Sequence, residues 1–303
     1  MQSPVKRTTL LALATLLVAT APASANTLVI AGAGDGHGVG MSQDGALGYA
    51  QHGWSYRAIL AHYYRHTAIG QAPPRTVVRV LEGNRVKRVP LETYVRGVVS
   101  AEVSASWPMA ALQAQAVASR TYAITAHVGG SRFDVYADTR SQMYLGKAAE
   151  TPSTNAAVAA TAGQIVTYAG KPAITYFYAD SGGHTESVQY GFPGSTPEPW
   201  LIGVADPYDA GAQHRWSVSM TFAAASSRLS GLVAGSFRGI EVTRRGSSPR
   251  IVSAYVLGSK GNTLVSGAEL AARLGLDSTW AEFSVRGAKS TPPPSDTGGV
   301  AAG

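Results

Sequence analysis

The 303-residue chain has no cysteine. That excludes disulfides, thiolate metal centres and a lipid-modified cysteine anchor. A chain of this size buries enough core to do without disulfides even in an oxidising compartment. Basic stripes with interleaved aromatics are also missing, so nucleic acid is not an expected partner. No apolar run has the length of a stable membrane span. The longest, Leu10 to Val18, is short, follows Lys6 and Arg7, and ends before the small residues Ala23-Ser-Ala25. This is the layout of a cleavable export signal. Residues 1–25 are therefore expected to be removed near Ala25, giving a secreted or otherwise extracytoplasmic protein of the cell wall or periplasm. Without Lys6 and Arg7, 23 basic residues stand against 18 acidic ones, a formal charge of +5. Such a balance suits anionic polymers and decides little by itself.

At the other end, residues 288–303 are rich in Pro, Gly and Ser, cannot bury apolar surface, and are expected to be disordered. Residues 26–287 read as one compact domain without internal repeats. Helices are expected at 42–52, 56–65, 92–99, 108–127, 154–162, 221–232 and 267–274. Short strands rich in Val, Ile and Tyr are expected at 27–31, 77–82, 85–90, 164–168, 173–178, 240–244 and 251–257. Gly83-Asn84 reads as a tight hairpin turn, and Tyr168-Ala-Gly-Lys-Pro172 as another. Strands and hairpins interleave irregularly with helices, which predicts a mixed α/β (α+β) fold rather than a doubly wound sheet.

The densest signal is the stretch from Tyr94 to Ala123. It reads as a short amphipathic helix, a connection holding Glu102, and a long Ala-rich helix opened by Trp107-Pro108. A lone carboxylate in a connection is by default a solvated side chain. Its neighbours change that reading. The run Tyr94-Val-Arg-Gly-Val-Val-Ser-Ala-Glu102, with Trp107-Pro108 and Ala114-Gln-Ala-Val-Ala-Ser-Arg-Thr-Tyr-Ala123, resembles the signature of the SpoIID/LytB family of bacterial cell-wall proteins. Val103 replaces the usual Met, and Ala110 the usual Glu. Gly36-His-Gly-Val-Gly-Met-Ser-Gln-Asp-Gly-Ala46 and Phe177-Tyr-Ala-Asp-Ser-Gly-Gly-His-Thr-Glu186 are similar to two further family blocks. Asp138–Tyr144 and Trp200–Asp209 are smaller echoes. In many members the first of these blocks lies near the C-terminus, so its place here implies a circular permutation.

The resemblance implies a catalytic acid at Glu102. It also implies sugar contacts at His37, Ser42, Gln43, Arg120, Gln142, Tyr144, Tyr178, Ser181 and His184. Each has a plainer alternative: the histidines sit among glycines that would serve an ordinary tight loop, and Arg120 would equally tie its helix down through a buried carboxylate pair. Glu92, at a helix start, reads as a complement to the helix dipole. One acid suffices for a lytic transglycosylase, because the muramic-acid 6-hydroxyl and not water attacks C1. The leading expectation is therefore an exported peptidoglycan lytic transglycosylase, a lyase forming 1,6-anhydroMurNAc ends from glycan strands. The rival is a non-catalytic, glycan-binding enhancer of a cell-wall amidase. The zinc cluster of some family members needs cysteine, and no His lies between His127 and His184. No metal or other cofactor is expected.

Overall fold

A computed structural model describes residues 26–287. The expected export signal and tail lie outside the described residues. In β1 (Thr27–Gly32) the buried Leu28 and Ile30 alternate with more exposed neighbours, the period of a strand covered on one face. The two-residue β2 (Met41–Ser42) leads into α1 (Gln43–Gln51), and α2 (Tyr56–Tyr63) follows. Ser42 and Ser55 cap these helices, each hydroxyl accepting the N–H three residues on. Next come β3 (Ala68–Gln71) and the hairpin of β4 (Val77–Glu82) with β5 (Arg85–Pro90), which turns at Gly83-Asn84 as the sequence predicts.

Two helices then form the centre. α3 (Leu91–Glu102) buries Tyr94, Val95, Val98 and Val99 on one face. α4 (Met109–Thr125) has 12 of its 17 residues buried, so it is packed on nearly every side. Its small residues Ala111, Ala114, Ala116, Ala118 and Ala123 allow neighbouring elements to approach from several directions. Beyond it lie β6 (Val135–Tyr136), α5 (Pro152–Ala160), β7 (Gln164–Tyr168), β8 (Lys171–Pro172), β9 (Phe177–Tyr178) and the single turn α6 (Val188–Gly191). The remainder is β10 (Trp216–Thr221), α7 (Phe222–Arg228), β11 (Phe237–Arg245), β12 (Ile251–Gly258), β13 (Gly261–Ser266), α8 (Gly267–Leu274) and β14 (Ala281–Arg286).

Among the described residues the strands form five small sheets, ordered β10-β1-β14, β11-β12-β13, β3-β7-β8, β5-β4-β6 and β2-β9. With the eight α-helices of the described residues this is the mixed α/β architecture expected. Three apolar clusters underlie it. One lies beneath α3, another joins α1, α2 and α4, and the third joins β1 to the elements after residue 216. β1 is antiparallel to both β10 and β14, so the first described strand completes the sheet of the last segments.

Several elements differ from expectation. The helix expected at 92–99 continues through Glu102, which therefore occupies a last helical turn instead of the connection. The strand expected at 173–178 pairs only as Phe177–Tyr178 in β9; Thr175 turns its hydroxyl to Ala118 O, and Tyr176 O accepts from Met41 N. The helix expected at 221–232 ends at Arg228, with Thr221 as its cap. β3, β10, β13 and β14 were not foreseen. β10 alternates Ser and Thr with Trp, Val and Met, so its apolar face is thin, and pairing with β1 is what defines it.

Candidate active site

Glu102 closes α3, with Val103 already extended at φ −136° and ψ 156°. A carboxylate at this end faces the negative pole of the helix dipole, which opposes its ionisation. Burial raises its pKa further, against two hydrogen bonds that favour the charged form. Met143 N donates to Oε1 at 2.5 Å and Gln43 Nε2 donates to Oε2 at 3.1 Å. Both donors come from distant segments held by their own anchors. Gln43 begins α1 beside the buried Ser42. Met143 follows Gln142, whose buried amide donates to Tyr94 Oη at 3.0 Å and Ser119 O at 3.2 Å.

Glu102 opens onto a cleft of about 640 Å³, within the size range of small-ligand sites. Tyr122, Tyr176, Phe177, Tyr178 and Phe192 give it aromatic walls, and Thr139, Arg140 and Ser141 add polar groups at one side. Val98, Val99, Val103 and Trp107 do not line it and belong to the core beneath α3. Asp35 is a second carboxylate lining the cleft, and nothing near it in the motifs marked it. Burial raises its pKa, the charge of Asp277 adds to that, and Arg250 opposes it.

His37 lies against Phe192, Tyr178 and Tyr176, with ring centroids 4.9, 5.2 and 6.1 Å away. Its Nδ1 accepts from Val39 N at 3.0 Å, so the neutral ring carries its proton on Nε2. Burial first, and then the Arg250 charge, lower its pKa to about 4. His37 is thus an uncharged wall residue at neutral pH. The surrounding glycines have a steric cause: a Cβ on Gly38 would sit 2.3 Å from Arg250 Nε, and one on Gly40, at φ +82°, 2.1 Å from Tyr176 O.

Comparison with known proteins gives this geometry a context. A family model described as SpoIID, stage II sporulation protein, matches residues 82–168. An uncharacterized protein of Brachyspira hyodysenteriae is 42% identical over 129 residues, covering 42% of this chain and 32% of its own length. Stage II sporulation protein D of Bacillus amyloliquefaciens is 28% identical over 255 residues, covering 76% of this chain and 72% of its own. The amidase enhancer of Bacillus subtilis is 32% identical over 127 residues, 42% of this chain and 17% of its own. Residues 82–168 thus match the SpoIID family, and most of the chain is similar to stage II sporulation protein D. The chain spans only about a third of the length of the Brachyspira relative and less of the amidase enhancer.

Of the residues singled out by SpoIID/LytB motifs, the structure brings His37, Gln43, Glu102 and Tyr178 to the cleft. The early block reaches it because β2 pairs in parallel with β9, Met41 opposite Phe177 and Ser42 opposite Tyr178. The other candidates lie elsewhere. Arg120 is wholly buried and binds Glu92 through two bonds of 2.8 Å, and also donates to the carbonyls of Gln164, Val158 and Ala116. It clamps α4 to α3 and α5 and does not line the cleft. Gln142 is buried under the Met143 segment, and Tyr144 stacks on Tyr94 at 4.9 Å. Ser42 and Ser181 are fully buried and both donate to Asp209, through Oγ and backbone N respectively. His184, expected to share the cleft with His37, instead has Nδ1 2.7 Å from Thr185 O and bridges to Ala205.

Glu186, which ends the third block, is buried and accepts from Ser187 N, Ser247 N and Ser248 Oγ, tying the β11–β12 turn to the site. Phe192, Asp35, Ser141 and Met143 are site residues that the motif comparison did not supply. Among them only Ser141 and Met143 lay in a recognised echo. Among the described residues no helix is long and apolar enough to cross a membrane.

Proposed function

We propose that this protein is an exported peptidoglycan lytic transglycosylase in which Glu102 acts as both acid and base. The observation that carries this reading is the placement of Glu102. It is a half-buried carboxyl with a raised pKa, held by Met143 N and Gln43, opening onto an aromatic-walled cleft. An acid with a raised pKa keeps its proton to higher pH than an ordinary glutamate does. Glu102 protonates the glycosidic oxygen as the bond between MurNAc C1 and that oxygen breaks. The resulting carboxylate then accepts the proton of the MurNAc 6-hydroxyl as its oxygen bonds to C1. The products are a 1,6-anhydroMurNAc end and a free GlcNAc 4-hydroxyl, and the acid is regenerated. Gln43 and Met143 N–H hold the carboxylate in place through both steps and stabilise its charge in the second. The aromatic walls offer flat apolar faces to sugar rings and keep water from C1.

The reading extends to location: an export signal in residues 1–25 and action on glycan strands outside the cytoplasm. Its test is incubation of the protein alone with glycan strands freed of stem peptides, with product ends identified by mass spectrometry. Anhydromuramoyl ends support the proposal. Reducing muramoyl ends would make Asp35 the base of a hydrolase.

A second reading has its own support in the relative named amidase enhancer. In that case the protein binds glycan, cuts nothing, and raises the rate of an added cell-wall amidase. Failure to release any product alone, together with acceleration of the amidase, would favour it.

A further inference from the structure

Away from Glu102, three segments converge on a group of acids that the proposed reaction does not use. Asp180 follows β9, Asp209 lies in the loop after Trp200, and His214 precedes β10. One ligand-type atom from each lies within 4.8 Å of the other two. Asp180 and Asp209 are buried, and His214 is half-buried. His214 Nδ1 is 3.7 Å from Asp180 Oδ1 and 3.8 Å from Asp209 Oδ1, too long for direct hydrogen bonds and suited to a shared centre.

The surroundings orient these side chains and leave atoms free. Asp209 Oδ2 accepts from Ser42 Oγ at 2.7 Å and Ser181 N at 2.5 Å, while Oδ1 has only a 3.5 Å contact with Gly211 N. Asp180 Oδ1 accepts from Gly182 N at 2.7 Å. Asp180 Oδ2 and His214 Nδ1 are both shielded from solvent and have no partner among the described residues. A buried carboxylate oxygen without a donor is costly, and its absence of partners needs a cause. Asp44 joins the group from α1: a Cβ on Gly211 would lie 1.9 Å from Asp44 Oδ2 and 2.6 Å from Asp180 Oδ2.

The cations nearby do not offset this charge. Arg250 donates to Gly36 O and Ser181 O, and Arg215 to Gly182 O and His214 O. Crowding accordingly pushes the pKa values of Asp44 and Asp180 up to about 6, burial being the first cause and Asp209 the next.

We infer that Asp180, Asp209 and His214 bind a divalent cation of the Zn²⁺ or Mn²⁺ type, with Asp44 as a neighbouring third carboxylate. Two carboxylates and one imidazole form a donor set for these ions rather than for Ca²⁺, which prefers six to eight oxygens. The hydrogen bonds to Asp209 Oδ2 and Asp180 Oδ1 supply the outer support that metal ligands need. The site departs from the sequence expectation of no metal, because its three ligands come together only through the folding of residues 180–214. Its role is to brace the cleft. Asp209 holds Ser42, and the next residue, Gln43, holds Glu102. The inference stands independently of the reaction assigned to Glu102.

The test uses untagged protein, stripped with a chelator and titrated calorimetrically with Zn²⁺, Mn²⁺ and Ca²⁺, with thermal unfolding followed in parallel. One equivalent of Zn²⁺ or Mn²⁺ is expected to bind and raise the unfolding temperature. Asp180→Asn and His214→Ala should each weaken binding at least about 10-fold. Metal-free Asp180→Asn should unfold at the same or a higher temperature than the metal-free parent, since it removes one crowded charge; loss of binding then cannot be loss of fold. No binding of Zn²⁺ or Mn²⁺ at millimolar concentration would overturn the inference. So would binding unchanged by either substitution, or binding of Ca²⁺ alone that ignores His214→Ala.

Discussion

Glu102→Gln separates the chemistry of the cleft from its architecture. Gln keeps the shape of Glu, and its carbonyl oxygen can still accept from Met143 N. Its amide group would then face Gln43 Nε2, so the Gln43 amide must turn over and present its oxygen. The geometry survives, but the proton donor is gone. General acid catalysis contributes at least about 100-fold, equivalent to about 2.7 kcal/mol on the barrier. Release of anhydromuramoyl ends by Glu102→Gln should therefore drop by that factor or more. Stability should move the other way. A carboxyl whose pKa is raised on folding makes the folded state less stable as pH climbs above the unfolded value of 4.5. Gln has no such dependence. The unfolding temperature of Glu102→Gln relative to the parent should therefore rise between pH 4 and neutrality. Turnover within 10-fold of the parent would refute the role of Glu102. A relative unfolding temperature that falls with pH would refute the burial argument.

Gln43→Met removes a hydrogen bond that favours ionised Glu102; the alkaline limb of the kcat profile should move to higher pH, and an unchanged or lowered limb would count against the pairing. Arg120→Met breaks a clamp whose Arg is fully buried but whose Glu92 partner is partly exposed, so denaturant unfolding should show a loss near the low end for buried pairs, about 3 kcal/mol. If Arg120→Met were instead fully stable and defective only in substrate affinity, the clamp assignment would be wrong. Gly40→Ala places a Cβ against Tyr176 O at a positive φ and should destabilise by about 2 kcal/mol or more, checked by thermal unfolding.

Local patterns made much of this fold readable. The β4–β5 hairpin and β7 match their Val- and Ile-rich runs, and α8 runs from its Ser266 cap to Gly275 in the left-handed region. β10 and β14 were not legible because their pairing with β1 is long-range, across almost the whole chain. The site shows the same division. Glu102, His37, Gln43 and Tyr178 stand out through motif resemblance, whereas Asp35, Phe192 and the Met143 amide matter only because loops remote in sequence meet. Arg120 and Ser181 carry the motif just as strongly, yet fill structural positions; a motif records that a residue is constrained without saying whether by substrate or by packing. The grouping of Asp180, Asp209 and His214 could not be read from spacing, since no short ligand pattern joins them.

The most direct measurement is digestion of peptide-free glycan strands in ¹⁸O-labelled water, with product ends resolved by mass spectrometry. Intramolecular attack by the MurNAc 6-hydroxyl predicts ends one water lighter than reducing muramoyl ends, carrying no ¹⁸O and formed only when Glu102 is intact. Reducing ends labelled with ¹⁸O, or no cleavage by the protein alone, would contradict it.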